Sequence, residues 1–161
     1  MKFLTGLALS FLLLSNFPSA QTTSDIPLRI GAKLPPKYIP AEVTNMIPID
    51  NEEGIPAIDV TISDVDYTLG YHSQTKRILS IKTHDPDFKT VNGLKVGSTI
   101  NVTRKQLRIK PTFEVSGPPT PDGWRPIISE DIPFNNGYDF SKMKKGESRT
   151  CKITGFTKGR Y

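Results

Sequence analysis

Histidine, cysteine and tryptophan are all scarce in this 161-residue chain, which has two histidines, one cysteine and one tryptophan. A lone Cys151 excludes an intramolecular disulfide, and two histidines without ligand spacing argue against a zinc centre. Cys151-Lys152-Ile153-Thr154 reads as a strand, so Cys151 is expected to be a buried core residue. Nucleotide signatures are missing too. There is no phosphate loop or dinucleotide fingerprint, which removes the common nucleotide-dependent enzymes, and no Gly-x-Ser-x-Gly elbow presents a nucleophile. No cofactor is implied. Beyond the N-terminus no run approaches the roughly 18 apolar residues needed to cross a membrane.

What is present begins with an export pattern. Lys2 precedes an almost wholly apolar run from Phe3 to Leu14, and Phe17-Pro18-Ser19-Ala20 supplies a breaker and a small exit residue. That is the layout of a secretory signal over residues 1–20, with cleavage after Ala20. Pro18 departs from the pattern, because a small residue is expected three positions before the cut. With no cysteine near the cut, a lipid anchor is not indicated. The expected product is a soluble, secreted or periplasmic chain, and removing twenty residues from 161 leaves 141. That suits one domain, which buries about two-thirds of its unfolded surface and needs no disulfide staple.

Thirteen of the fourteen prolines follow residue 20 and are widely scattered, which disfavours long helices. Residues 21–56 read as a Pro-rich irregular segment wrapping a β-rich core of residues 57–161. Ile58, Val60 and Ile62 alternate with polar residues, then Val65, Tyr67, Leu69 and Tyr71 alternate in the opposite phase. The phase change predicts a bulge at Ser63-Asp64, and His72 to Lys76 a turn into a strand through Leu79, Ile81 and Thr83. Asn92-Gly93 and Asn136-Gly137 predict further turns. A short helix or turn is expected within 98–107, an exposed loop from Gly117 to Gly123, and a closing strand from Thr150 to Thr157. The fold class is therefore mainly β or α+β, a single small domain of antiparallel hairpins with few helices. Leu28-Arg29-Ile30-Gly31-Ala32 also echoes Leu94-Lys95-Val96-Gly97-Ser98, though one pair of pentapeptides does not make a repeat architecture.

The net charge of +5 is unevenly spread. From Ala41 to Thr75 there are seven acids and no Lys or Arg, whereas Lys95 to Lys110 carries only Lys95, Arg104, Lys105, Arg108 and Lys110. The tail adds Lys142, Lys144, Lys145, Arg149, Lys152, Lys158 and Arg160 against Glu147. Such segregation is either an ordinary solvated face or a surface for an anionic partner. Export and the lack of interleaved aromatics make nucleic acid an improbable partner. Trp124 beside Arg125 is a typical interface anchor if exposed, and covers the core edge if not. The expected binding surface joins Trp124 and Arg125 with Arg104, Lys105 and Arg108.

Other chemistry is thinner. His84 with Asp85 or Asp87 has the residue types for acid–base work. Asp64 and Asp66, joined by Glu52 or Asp59, could group around calcium, whereas Asp50-Asn51-Glu52-Glu53-Gly54 has the oxygens but not the EF-hand register, so an ordinary acidic surface is the expectation. Asn101-Val102-Thr103 has the form of a glycosylation acceptor, meaningful only in a eukaryotic host.

One stretch, Ile78 to Gly97, carries a pattern of its own. A strand ends in Thr83-x-Asp85-x-x-Phe88-x-Thr90, followed by Gly93, an apolar-basic-apolar strand and Gly97-Ser98, with Gly123-Trp124 later. This resembles uncharacterised bacterial exported proteins over roughly a quarter of the chain, with Asn92 standing where an acidic residue is usual. The resemblance implies a periplasmic β-rich module and transfers no catalytic residues. Physically, Asp85 and Thr90 would cap turns and Phe88 would pin the loop to the core. The leading expectation is thus an exported binding module, not an enzyme, acting on a protein or an anionic envelope polymer. The alternatives are a small hydrolase or metal-dependent enzyme built on His84, and a structural envelope protein.

Overall fold

A computed structural model describes residues 21–22, 25–49, 52–109, 114–130 and 143–159. The expected signal segment and the Asn136-Gly137 turn lie outside these. The strands are β1 (Gln21–Thr22), β2 (Met46–Ile49), β3 (Glu52–Ile62), β4 (Val65–Tyr71), β5 (Ile78–Thr83), β6 (Thr99–Thr103), β7 (Arg108–Ile109), β8 (Val115–Ser116), β9 (Arg125–Glu130) and β10 (Ser148–Gly159). They form one curled, mostly antiparallel half-barrel sheet in the order β1-β3-β4-β5-β10-β9-β8-β7, with β2 on β3 and β6 on β10. The small β-rich domain expected from the alternation is what the chain forms. Among the described residues two 3-10 turns, Pro36–Tyr38 and Arg104–Gln106, interrupt it, and no helix is long and apolar enough to cross a membrane.

β10 is the spine. β9 lies along one of its edges, while β6 and β5 share the other, β6 beside residues 148–152 and β5 beside 156–159. Thr154 is an extra residue between Ile153 and Gly155, and the bulge increases the local twist that curls the sheet.

The phase change at Ser63-Asp64 is a two-residue hairpin turn, not a bulge. Ile62 faces Val65 directly, and both turn residues have positive φ, 50° and 62°. A two-residue connection pairs positions three apart on the same face, which inverts the alternation just as a bulge would. Of the short helix or turn expected within 98–107, a 3-10 turn forms at Arg104–Gln106, and β6 takes the residues before it. Thr-Ile-Asn-Val-Thr is dominated by β-branched side chains that favour extended chain, and only Arg104–Gln106 coils, boxed by Thr103 and Gln106.

Alternation sends Ile58, Val60, Tyr67, Leu69 and Ile81 to the concave side, where they pack with Phe88, Trp124, Ile153 and Phe156. A second cluster holds Val102, Val115, Ile128, Met143 and Cys151, with Ile100 packed against both. Cys151 is fully buried. Fully burying a side chain such as Leu69 or Phe156 is worth about 1.5–3 kcal/mol. Ile26, Ala32 and Leu34 belong to the main cluster as well. The segment before residue 57 therefore contributes to the core, and β3 crosses the boundary expected there.

The two echoing pentapeptides adopt one conformation. Ala32 N–H donates to Arg29 O (3.1 Å) and Ser98 N–H to Lys95 O (3.0 Å), with Gly31 and Gly97 at φ +82° and +88°. Each then clasps the start or middle of a strand. Gly31 N–H donates to Ile78 O and receives Ile78 N–H on the next carbonyl, and Gly97 and Ser98 treat Ile153 identically.

Candidate functional site

The Thr83–Gly97 loop is built as its residues imply. Asp85 Oδ1 accepts the Asp87 amide and Oδ2 the Asp66 amide, each at 2.8 Å. Phe88 sits 4.7 Å from Trp124, 5.0 Å from Phe156 and 6.1 Å from Tyr67 between ring centroids. Burial, aided by the nearby Asp85 charge, pushes the Tyr67 phenol up.

A second feature was missed in the sequence. Thr90-Val91-Asn92-Gly93-Leu94 and Thr120-Pro121-Asp122-Gly123-Trp124 are twin turns. In each, the threonine hydroxyl donates to the Asn or Asp side chain (2.7 Å) and accepts the amide of the fifth residue. In each, the glycine has positive φ and donates to the threonine carbonyl (2.9 Å). Asp122 Oδ2 also accepts the Val91 amide at 3.3 Å, joining the twins, and its carbonyl accepts Lys158 Nζ at 2.7 Å. The shared Thr-x-Asx-Gly spacing was the available signal.

These turns decide the fate of Trp124. Its exposure is 7%, so the exposed reading does not hold. The Thr120 turn folds the indole inward against Phe88 and Tyr67, with Lys158 Nζ 5.7 Å above the ring. The expected exposed loop is correspondingly mixed, with Gly117 and Thr120 buried and Pro119 and Pro121 exposed. Arg125 donates to Gly117 O at 2.9 Å and holds the loop base.

The structure also separates the residues expected to form one surface. Arg125 faces Thr157 of β10, whereas Thr103, just before Arg104, faces Ser148 at the other end. Nine strand residues span roughly 30 Å. Arg108, on β7, faces Ser116 at the side of the sheet. What comes together instead is a basic ridge. Beyond the Thr103–Ser148 pair, Arg104 and Lys105 leave β6 at the end where Lys144 and Lys145 enter β10. Lys152 faces Thr99 at the ridge's far end, and Lys95 lies in the turn just before. Glu147 is the acid on this stretch, and it is committed. It accepts the Lys144 amide (2.9 Å) and pairs with Arg149 (2.7 Å), which together hold its carboxyl below the usual range.

On the convex face an open groove of about 420 Å³ is lined by Asp59, Asp66, Thr68, Lys82, His84 and Asp85, among others. His84 approaches Thr154 O through Nδ1 at 2.8 Å, and its ring lies over Gly155. The carboxylate of Asp85 serves backbone amides, so the His84–Asp85 pairing expected for acid–base work is not formed. Asp59 accepts Thr68 Oγ1 (2.6 Å) and Asn45 Nδ2 (3.1 Å), while Asp66 accepts Thr61 Oγ1 (2.6 Å). Among the described residues no three His, Cys, Asp or Glu side chains are grouped to hold a metal ion. Lys82 forms an ion pair with Glu114 in this region. His72, at the other end of β5, accepts the amides of Gln74 and Thr75 and shapes its own turn.

No protein-family model, curated protein or solved structure matches the chain.

Proposed function

We propose that this protein is an exported, non-enzymatic binding module that holds a protein or an anionic envelope polymer on the basic ridge. Arg104, Lys105, Lys144, Lys145 and Lys152 are the contact residues of this reading. The observation that carries it is the antiparallel pairing of β6 with the start of β10, which brings together the basic residues that flank the two strands. Cations forty residues apart in sequence become neighbours, and their summed field attracts an anion more strongly than either segment alone. The acidic segment supports the same reading, because Asp59, Asp64 and Asp66 belong to β3, β4 and their turn, beyond β5 in the sheet. Export rests on the Lys2 to Ala20 pattern, and the Thr83–Gly97 likeness agrees with it.

The test uses residues 21–161 and polyphosphate as an anionic probe, titrated between about 0.05 and 0.5 M salt. Affinity should fall steeply with salt. Reversing Arg104, Lys105, Lys144 and Lys145 to glutamate should weaken it at least about tenfold, since each lost or inverted contact is worth on the order of 0.5 kcal/mol. Salt-independent binding, or an unaffected variant, would sink the ridge.

A further inference from the structure

We propose that the free edge of β6 takes up an acidic, extended segment of a partner protein as an added β-strand. This rests on the basic-ridge reading and narrows its partner to a peptide chain. The argument starts from which backbone groups β6 has left. Among the described residues β6 pairs with β10 alone. Ile153 N–H donates to Ser98 O at 2.8 Å, and the antiparallel ladder then alternates. Ile100 and Val102 bond to β10, while the N–H and C=O groups of Thr99, Asn101 and Thr103 point away from it. Thr103 behaves accordingly, because its amide donates to Gln106 Oε1 at 2.8 Å rather than into the ladder.

Thr99 and Asn101 therefore offer two donors and two acceptors in the spacing that an incoming strand needs. Both residues are exposed. Natural edges are usually blunted by proline, bulges, inward charges or a covering element, and Thr99–Thr103 contains neither proline nor charge. The side-chain environment selects the visitor. Lys95 and Lys152 flank one end of the strand, Arg104, Lys105, Lys144 and Lys145 the other. Five strand residues span roughly 16 Å, so a peptide with a short β-branched middle and carboxylates at both ends would meet cations at each terminus. A polysaccharide or phosphate polymer satisfies the charges but not the alternating backbone groups.

The experiment measures anisotropy of a labelled Glu-Glu-Val-Thr-Val-Glu-Glu peptide with residues 21–161. Two further peptides carry N-methyl groups on one or the other alternate set of amides, and polyphosphate is run in parallel. The unmodified peptide should bind, and one N-methylated form should bind at least about tenfold more weakly, since each blocked bond is worth about 1 kcal/mol. Asn101→Pro removes an outward N–H, which edge strands tolerate, together with the side-chain oxygen that accepts Thr150 Oγ1 at 2.7 Å. It should weaken the peptide about tenfold while leaving polyphosphate binding unchanged. If both N-methylated peptides bind like the parent, or polyphosphate binds and no peptide does, strand addition is overturned and the ridge stands. If neither probe binds, both fall. Should Asn101→Pro fail to fold, the N-methylated pair still decides.

Discussion

Replacing Trp124 by alanine should destabilise the domain without touching the binding ridge. The indole lies 4.7 Å from the Phe88 centroid and 6.3 Å from that of Tyr67, with the Lys158 ammonium above it. A buried tryptophan removes about 150–250 Å² from water. At about 25 cal/mol per Å² this is roughly 4–6 kcal/mol, an upper bound because unfolded chains already bury some of it. Large-to-alanine changes at aromatic core sites cost about 3–5 kcal/mol, so about 4 kcal/mol is expected. The twin turns lose their inner wall, and the ring pairs with Phe88 and Tyr67 are part of that figure rather than additional to it. For a domain of this length the melting temperature should drop by about 10–15 °C. Thermal and urea unfolding of residues 21–161 measure this directly. A shift below about 1 kcal/mol would refute the packing argument. Because Trp124 is the single tryptophan, its fluorescence gives an independent check: emission should be blue-shifted and resist iodide quenching. At temperatures where the variant remains folded, polyphosphate binding should equal that of the parent.

Gly155→Ala should destabilise by about 1–3 kcal/mol, because the new Cβ would lie 2.7 Å from both Thr83 O and His84 Cε1. His84→Ala in the same chain should recover only the part owed to the ring, as measured by urea unfolding of the four-member cycle. Acid should loosen the twin turns through Asp122. Burial pushes its carboxyl up, but the Thr120 hydroxyl, the Val91 amide and the Lys158 charge together outweigh burial and leave it below the usual range. A depressed folded value means that its contribution is present above the ordinary carboxylate pKa of about 3.9 and is lost as pH falls through the folded value. Asp122→Asn should therefore flatten the stability decline at acidic pH, read from denaturant midpoints; an identical decline would show that Asp122 makes no contribution.

The strand alternation made much of the sheet legible. Ile58 to Tyr71 and Leu79 to Thr83 read as strands because one face of each is buried, and Thr150 to Thr157 read likewise. The error at Ser63-Asp64 has a physical origin, since a bulge and a two-residue turn shift the alternation by the same odd step. β6 was misread because a five-residue strand followed by a 3-10 turn has the length and polarity of a short helix. The candidate site was less legible still. Charge runs were visible at Lys95–Lys110 and in the tail, but their joining depends on the β6–β10 register, a long-range pairing that no local pattern encodes. Trp124 illustrates the reverse case. Gly-Trp after a Pro-rich loop looks like a surface anchor until the Thr120 turn and its Thr90 twin direct the ring inward.

By itself the sequence determined the β character, the burial of Cys151 and the segregation of charge, because each follows from residue type and spacing along the chain. Only the tertiary structure decided that the two basic segments are neighbours, that Trp124 and Arg104 lie at opposite ends of β10, and that among the described residues β6 pairs with β10 alone. Those facts depend on which strands meet and in what register. That choice is made by the packing of Ile153, Phe156 and Phe88 in a shared core, across sequence distances at which local propensities carry no information.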